Sequence, residues 1–592
     1  MYSKRLYPLF AALAATLVLT ACGGSSSGNL RASDPPPNDE RGELTPGNIM
    51  ILSSSTDADA PVFSLTSLDR TEPDAPFDTL TIEGLPDAEM LLGMDYRPAT
   101  GDLYALGSSG TLHIIDPVTA TVVSSVALIP APDATPVFVA LDGMQFGVDF
   151  NPVPDRLRVT SDTGQNLRIN VETGETIVDG ALDSGTDGTR ITGSAYTNSF
   201  AGTATTRLFN IDSGENLLYL QQPPNDGDLI NPVSLGIDIS ADNGFVIDGL
   251  NNLALAALTV EGSTGLYTID LAGTADVATL IGPLAIDGVI HGIALPPPQA
   301  PEVVALTRDN TLARFSLLMP SSVTSVPVTG LMIEEEVLIG VDVRPATGEL
   351  YAVSDQGNIY IVNAGNGNAV LQATLRAAPD DTFTMLMGSD YGMDFNPVPD
   401  RLRLISDSGQ NLRINVETGD TITDGNIAYA EEEDLGGIED IPLLGPLLGL
   451  IGGIVLPDDG DDAPAPAITA AAYTNSFAGT PATELFTLDT QNDSLNLQNP
   501  PNDGIQVPLI DITDAIQGIQ GIQGDQAFDI AGGDNGIVVA ALSDNGMPPY
   551  VLYRVNLMSG DFTPVTGDEA SSTIGGPDGP AIRGLTVVFP EM

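Results

Sequence analysis

Aspartate recurs in short apolar segments of this sequence, most often two residues after a glycine. Carboxylate oxygens are the ligands that Ca²⁺ prefers, and two carboxyls that flank a glycosidic bond can cleave it as an acid and a base. The same side chains can instead accept hydrogen bonds from backbone amides and have a purely structural role. All three roles stay open for six residues. These residues are Asp95, Asp149, Asp238, Asp342, Asp394 and Asp529.

Several other kinds of chemistry have no support in the sequence. Glutamate does not recur in these segments as a general acid would, and no Asp-x-Asp-x-Asp-Gly calcium loop occurs. The only histidines, His113 and His291, have no histidine counterparts in the second half of the chain, which excludes a repeated Ser-His-Asp triad or histidine zinc site. A Walker loop and a dinucleotide fingerprint are also absent from the sequence. Ca²⁺ is therefore the one cofactor that the residues leave open.

Arginines and asparagines form a second group of candidate contacts. Arg156 and Arg158 are two residues apart and so share one face of a strand, and Arg168 follows on the next strand. Guanidinium groups in this arrangement could hold a carboxylate or sulfate in a bidentate manner, or pair with acids such as Asp149 or Asp155. The asparagines are either ligand contacts or turn residues. The full set is Arg156, Arg158, Arg168, Asn166, Asn198, Arg401, Arg403, Arg413, Asn411 and Asn475.

The chain is strongly acidic. It has 79 aspartates and glutamates against 20 lysines and arginines, and Lys4 is its single lysine. Proteins that bind the phosphate backbone of nucleic acids do so with lysine and arginine, which displace counterions. A net charge of −59 therefore excludes nucleic acid as a partner.

The second half of the chain repeats the first. The segment GVDFNPVPDRLR, which begins at Gly147, returns at Gly392 as GMDFNPVPDRLR. The segments GQNLRINVETG, AYTNSFAG and PPNDG also occur twice, in the same order. A proline-rich connector, PPPQAP, joins the two copies and predicts domains at residues 48–298 and 299–592. The second copy contains an additional insertion at about residues 429–466.

Each copy also contains a shorter internal repeat. In the first copy, five segments with a Gly-x-Asp-like pattern, such as Leu92-Gly-Met-Asp-Tyr96, follow one another at intervals of 43 to 56 residues. Four short strands in each repeat are typical of a β-propeller blade. The last such segment of each copy has no blade after it, so we expect it to pair with the first blade and close the ring. The sequence predicts two five-bladed all-β propellers, or alternatively one ring of about ten blades, with the aspartates on the innermost strands.

The repeated motifs resemble those of a known family. GVDFNPVPDRLRV, SDTGQNLRINVETG, AYTNSFAG and PPNDG are similar to segments of the DUF4394 domain, a family of unknown function found in exported bacterial proteins. The resemblance extends over nearly everything from about residue 48 onwards, in both copies. It implies a propeller-like fold, and it implies no activity.

The N-terminus has the pattern of an export signal. Lys4 and Arg5 precede an apolar stretch that ends in Leu-Thr-Ala before Cys22, the only cysteine. This ending resembles the lipobox of bacterial lipoproteins, which implies a signal peptide at 1–21 and a lipid on Cys22. The alternative is an ordinary signal peptide that is cleaved nearby. Residues 22–47 are rich in Gly, Ser and Pro and indicate a flexible tether, and Gly23 after the cysteine favours the outer membrane.

The sequence does not identify the ligand of these domains. Our first hypothesis is a non-catalytic binding or scaffold lipoprotein of the cell envelope, which presents two propellers to a glycan, a peptide or a protein partner. The alternative is a metal-assisted hydrolase or lyase that uses the aspartates of the channel. The apolar segment 438–456 within the insertion either contacts a partner or membrane or folds back over the protein.

Overall fold

The computed structural model describes residues 44–45, 47–57, 61–431, 465–533, 536–557 and 559–589. The predicted signal peptide, Cys22, almost all of the tether and the apolar segment 438–456 lie outside the described residues. Within the described part of the chain, no helix is both long enough and apolar enough to cross a membrane.

The strands follow directly from the distribution of apolar residues. Strands near the centre of each sheet, such as Leu103–Gly107, are buried along their whole length because both of their faces pack against neighbouring sheets. They therefore read as continuous apolar runs in the sequence. Outer strands such as Thr121–Ala127 are mostly exposed and rich in polar residues. The sheets thus face one another, and the core lies between them.

The first copy contains twenty-one strands, which form five sheets. They are β1 (Ile49–Ser54), β2 (Phe63–Leu68), β3 (Asp78–Thr81), β4 (Leu91–Tyr96), β5 (Leu103–Gly107), β6 (Thr111–Asp116), β7 (Thr121–Ala127), β8 (Ile129–Pro130), β9 (Phe146–Asn151), β10 (Arg156–Ser161), β11 (Asn166–Ile169), β12 (Glu175–Val178), β13 (Ile191–Tyr196), β14 (Leu208–Asp212), β15 (Leu217–Gln221), β16 (Leu229–Ser234), β17 (Asn243–Ile247), β18 (Ala254–Val260), β19 (Ser263–Ile269), β20 (Ala278–Pro283) and β21 (Val289–Ala294).

The second copy repeats this arrangement and also forms five sheets. Its strands are β22 (Glu302–Thr307), β23 (Thr311–Ser316), β24 (Thr324–Pro327), β25 (Leu338–Val343), β26 (Leu350–Ser354), β27 (Asn358–Val362), β28 (Ala369–Thr374), β29 (Arg376–Ala377), β30 (Tyr391–Asn396), β31 (Arg401–Ser406), β32 (Asn411–Ile414), β33 (Asp420–Thr423), β34 (Ala428–Tyr429), β35 (Ile468–Tyr473), β36 (Leu485–Asp489), β37 (Ser494–Gln498), β38 (Ile505–Asp511), β39 (Ala527–Ala531), β40 (Ile537–Leu542), β41 (Val551–Val555), β42 (Phe562–Pro564) and β43 (Ile582–Val588). The described loops of this copy contain two single-turn helices, α1 (Ile512–Ala515) and α2 (Glu569–Ser572).

The innermost strands of each copy form a closed ring. In the first copy β4, β9, β13, β17 and β21 contact one another in cyclic order, and β25, β30, β35, β39 and β43 do so in the second. The last strand of each copy pairs with its first, β21 with β1 and β43 with β22, so each copy closes on itself. One expected position is wrong. The fourth innermost strand of the first copy is β17, whereas the expected segment Leu235–Ile239 lies in the loop before it.

Glycines let the innermost strands approach closely. A Cβ atom added at Gly93 of β4 would lie 2.6 Å from Cγ2 of Val148 on β9. A Cβ atom at Gly147 of β9 would lie 2.6 Å from the amide nitrogen of Ser194 on β13. Because any side chain would collide there, the glycine of the repeated pattern is required by the packing of the ring. The aspartate two residues later is carried on the same face of the strand.

The two copies contact each other through loops that follow innermost strands. Thr203 Oγ1 donates a hydrogen bond of 3.1 Å to the Gly536 carbonyl, and the Gly533 amide donates one of 3.2 Å to the Leu250 carbonyl. The rings of Phe200 and Phe589 meet edge to face at 5.3 Å. The opposite face of each propeller carries the loops that lead into the innermost strands, and we call it the loop face.

Candidate functional site

Five of the six candidate aspartates lie on innermost strands and bind the next strand of their ring. In the first ring, Asp95 accepts from the Phe150 amide at 2.8 Å, and Asp149 accepts from the Tyr196 amide at 3.0 Å. These bonds link β4 to β9 and β9 to β13. Each aspartate therefore fastens its own sheet to the following one.

The second ring repeats these bonds and adds one. Asp342 accepts from the Phe395 amide at 2.8 Å, and Asp394 accepts from the Tyr473 amide. Asp529 accepts from the Val587 amide of the closing strand at 2.6 Å. Three of the five joints between innermost strands in this ring, β25 to β30, β30 to β35 and β39 to β43, thus depend on carboxylates.

These three side chains also converge on one point. Asp342, Asp394 and Asp529 each place a carboxylate oxygen within 4.8 Å of the other two. We call this group the carboxylate ring. Thr586 of β43 joins it by donating a hydrogen bond of 2.9 Å to Asp342 Oδ1. Asp394 Oδ1 is buried and has no hydrogen-bond partner among the described residues.

Burial dominates the electrostatics of both rings. Loss of solvent raises the pKa of Asp95 to about 7 and, together with the charge of Asp95, raises the pKa of Asp149 well above its usual value. In the carboxylate ring, burial raises the pKa of Asp529 to about 6. Burial and the neighbouring carboxylates raise the pKa of Asp342 and Asp394 well above the ordinary value. Uncompensated negative charge is therefore unfavourable at these sites.

The two rings differ at equivalent positions. Gly244 in the first ring and Ala527 in the second ring occupy the same place in the lining of their cavities. The residues two positions later are therefore equivalent, and they are Val246 in the first ring and Asp529 in the second. On the closing strands, Leu585 and Ile293 line the same part of their cavities, so the residues that follow them, Thr586 and Ala294, are equivalent. The first ring therefore has two carboxylates where the second has three carboxylates and a hydroxyl.

In each ring a narrow cavity is lined by the residues that precede the aspartates on the innermost strands. Each of the two cavities has a volume of about 10 Å³, which is room for about one water molecule. Arg583 lines the second cavity and donates a hydrogen bond of 2.9 Å to the Leu338 carbonyl. His291 takes the corresponding place in the first cavity, where its Nε2 lies 2.8 Å from Ser54 Oγ. Burial lowers the pKa of His291 and favours the neutral ring.

Asp238 is a correction to the sequence prediction. It is exposed in the loop before β17, where it accepts a hydrogen bond of 3.0 Å from Asn216 Nδ2. The segment Leu235-Gly-Ile-Asp-Ile239 imitates the innermost-strand pattern, but the true strand follows it and has Val246 at the aspartate position. Asp238 therefore contributes nothing to the channel.

Arg158 is the centre of a buried hydrogen-bond network that joins two sheets. Arg158 donates to Tyr196 Oη at 3.1 Å, to Asn166 Oδ1 and Asp179 Oδ2 at 2.7 Å each, and to Asn225 Oδ1 at 2.8 Å. It is 1% exposed. Tyr196 and Asn225 belong to the sheet of β13, so Arg158 ties that sheet to the sheet of β10.

The second copy repeats this network almost atom for atom. Arg403 donates to Tyr473 Oη, Asn411 Oδ1, Asp424 Oδ2 and Asn502 Oδ1 at 3.1, 2.8, 2.7 and 2.7 Å. The repeated motifs of the sequence thus meet at one point, because they supply the arginine and its partners.

The prediction that the candidate arginines pair with Asp149 or Asp155 is wrong. Asp179 pairs with both Arg158 and Arg168, whereas Asp155 pairs with Arg97 and Asp149 with a backbone amide. In the second copy, Asp424 pairs with Arg403 and Arg413 in the same way. Asp179 and Asp424 were missed by the sequence reasoning. The signal was the Asp-Gly pair that both copies carry after the NLRINVETG motif.

The remaining candidates hold turns. Arg156 and Arg401 donate to the carbonyls of the residue just before each of them, Asp155 and Asp400, at 2.8 Å. Asn198 and Asn475 have backbone φ angles of 55° and 53°. Their side-chain amides donate to the carbonyls of the residues seven positions later, Thr205 and Ala482. Asn and Asp tolerate this left-handed conformation better than most residues.

Two closed rings of small antiparallel sheets define a tandem β-propeller protein. Residues 64–294, 311–440 and 453–575 match the family described as domain of unknown function (DUF4394). The chain belongs to the DUF4394 family.

Comparison with individual proteins adds little to this assignment. No curated protein matches the chain. Among solved structures, the chain is similar to the Dos1 propeller, with 11% identity and a TM-score of 0.23, over 61% of this chain and 90% of that chain.

Proposed function

We propose that this protein is a non-catalytic binding module of the cell envelope and that it holds a basic peptide or protein segment on its loop faces. The observation that carries this proposal is a set of exposed methionines. Met144 is 80% exposed in the first copy, and Met332 and Met385 are each 64% exposed in the second. Methionine is flexible and polarisable, and it is common on surfaces that bind peptides.

These methionines share a structural position. Met144 precedes β9, Met332 precedes β25, and Met385 and Met387 precede β30. Each loop leads into an innermost strand, so these residues lie on the loop face of their propeller. The contacts between the two copies use loops at the opposite faces. Among the described residues, the contacts between the copies therefore leave the loop faces free for a partner.

Charge selects the class of partner. The exposed acids Glu334 and Glu335 lie next to Met332, and exposed Asp380 lies five residues before Met385. An acidic surface attracts positively charged partners and speeds their association. A partner with lysine or arginine beside apolar side chains is complementary to this surface. An acidic glycan would be repelled by it.

Burial of the channel aspartates favours binding over catalysis. A general acid or base must reach the atom whose proton it transfers. Each aspartate of the rings is instead buried and holds a neighbouring backbone amide.

Binding can be tested with two model peptides on the full chain in detergent. We expect an amphipathic Lys-Leu peptide to bind, and a Glu-Leu peptide of equal length not to bind, in titration calorimetry. Changing Met332, Met385 and Met387 together to Gln should weaken binding by about tenfold or more, since buried anchor side chains dominate such interfaces.

Met319→Gln is the matched control. Met319 is 61% exposed in the loop between β23 and β24, on the opposite face. It should leave the affinity unchanged. Equal binding of both peptides, or equal losses in the triple variant and the control, would contradict the proposed surface.

We also propose that a lipid on Cys22 anchors the protein to the outer membrane. The support is the Leu-Thr-Ala-Cys ending of the apolar N-terminal segment. Cys22→Ala should move the protein from the membrane to the soluble fraction, or leave it as an uncleaved precursor. Mass spectrometry of the native N-terminus should find acyl chains on Cys22. A mature N-terminus elsewhere, without lipid, would show an ordinary signal peptide instead.

A further inference from the structure

We propose that the carboxylate ring of the second propeller binds one divalent cation, with Ca²⁺ as the preferred ion, and that the first propeller has no such site. This inference is independent of the proposed partner surface. It concerns the axis of one ring and not the loop faces.

The geometry supplies oxygen ligands from separate strands. Asp342, Asp394 and Asp529 stand on β25, β30 and β39, and one carboxylate oxygen of each lies within 4.8 Å of the others. Three such atoms can contact one ion, because Ca²⁺ binds oxygen at about 2.3–2.6 Å. Thr586 Oγ1 is bonded to Asp342 Oδ1 at 2.9 Å and is a fourth oxygen in the same group.

An unpartnered atom points to a missing ligand. Asp394 is 2% exposed, and its Oδ1 has no hydrogen-bond partner among the described residues. Buried polar atoms nearly always have a partner, and an exception calls for an ion or a water. The equivalent residue of the first ring, Asp149, has no oxygen among the unpartnered buried atoms of the described chain.

The negative charge of the three buried carboxylates also favours a bound cation. The hydrogen bonds to the carboxylate ring come from backbone amides and from Thr586, and among the described residues none comes from an arginine. Buried charges are stable only when they are paired or bind a metal. A divalent cation would neutralise most of the charge of three carboxylates.

The first ring is a natural control within the same chain. It keeps Asp95 and Asp149 but has Val246 and Ala294 where the second has Asp529 and Thr586. Its two carboxylates and apolar neighbours offer Ca²⁺ fewer oxygen ligands than the three carboxylates and one hydroxyl of the second ring. The duplication has therefore produced one ring with a cation site and one without.

The test is to count the metal bound to the full chain. The protein is purified without chelator, and a second portion is refolded with excess Ca²⁺ or Mg²⁺; both are desalted and measured by atomic emission. We expect one calcium ion per chain, and Mg²⁺ to replace it poorly. Asp394→Asn and Asp529→Val should each abolish the bound calcium, whereas Asp149→Asn in the first ring should retain it.

A gain of function guards against variants that simply misfold. Val246→Asp with Ala294→Thr should give the first ring the same ligands and raise the count to two calcium ions per chain. Circular dichroism checks that each variant is folded. Absence of bound metal from both portions of the unaltered protein would overturn the proposal, as would calcium that persists in Asp394→Asn.

Discussion

Replacement of Arg158 by methionine is expected to destabilise the first propeller by about 3–5 kcal/mol, the cost of breaking a buried ion pair by removing one partner. Arg158 is 1% exposed and bonds to side chains of two sheets. Methionine fills similar space but leaves Asn166 and Asn225 without their buried donor, and it leaves Asp179 with only the more exposed Arg168. Lysine should not rescue the loss, because a single ammonium cannot reach partners that the planar guanidinium bonds at once. Urea unfolding followed by circular dichroism measures the change.

Two further variants make the result specific. Arg403→Met should destabilise the second propeller by a similar amount, because its bonds match those of Arg158. Arg156→Met is the control, since Arg156 only donates to nearby carbonyls and should change stability by less than about 0.5 kcal/mol. Equal effects of Arg156→Met and Arg158→Met would show that the network does not hold the sheets together.

Removal of the closing strand should prevent the second propeller from folding. A chain that ends at residue 581 lacks β43, which pairs with β22 and completes the ring. Three buried apolar side chains, Ile582, Leu585 and Val587, are lost with it, and each contributes about 1.5–3 kcal/mol. The truncation also leaves the edge of β22 unpaired and removes the Val587 amide that donates to Asp529. Together these losses are comparable to the whole stability of a domain, about 5–15 kcal/mol.

Limited proteolysis shows which copy is affected. Fragments from the second copy should be degraded rapidly in the truncated chain, while the first copy, which closes through its own strands β1 and β21, should stay resistant. A chain that ends at residue 589 retains β43 and is the control. A second copy that resists protease without β43 would mean that the ring does not depend on closure.

Local patterns in the sequence determined most of the fold. The intervals between Gly-x-Asp segments predicted the repeated four-stranded sheets, and the unpaired final segment predicted closure with the first strand. Most of these features are local or periodic, because every sheet except the two that close the rings is built from consecutive strands. The pattern failed at Leu235–Ile239, where an imitation of the motif precedes the true innermost strand β17. Periodicity cannot separate two adjacent segments of similar composition.

Only the tertiary structure decided which side chains meet. Asp179 lies 21 residues after Arg158 and Asn225 lies 67 after it, yet both bond to the same guanidinium. Thr586 joins Asp342 across 244 residues because the closing strand returns to the start of the ring. The residue types were visible in the sequence, but the ring axis that brings Asp342, Asp394 and Asp529 together exists only after closure. Convergence at that axis is a property of the closed ring, and no single segment of the chain contains it.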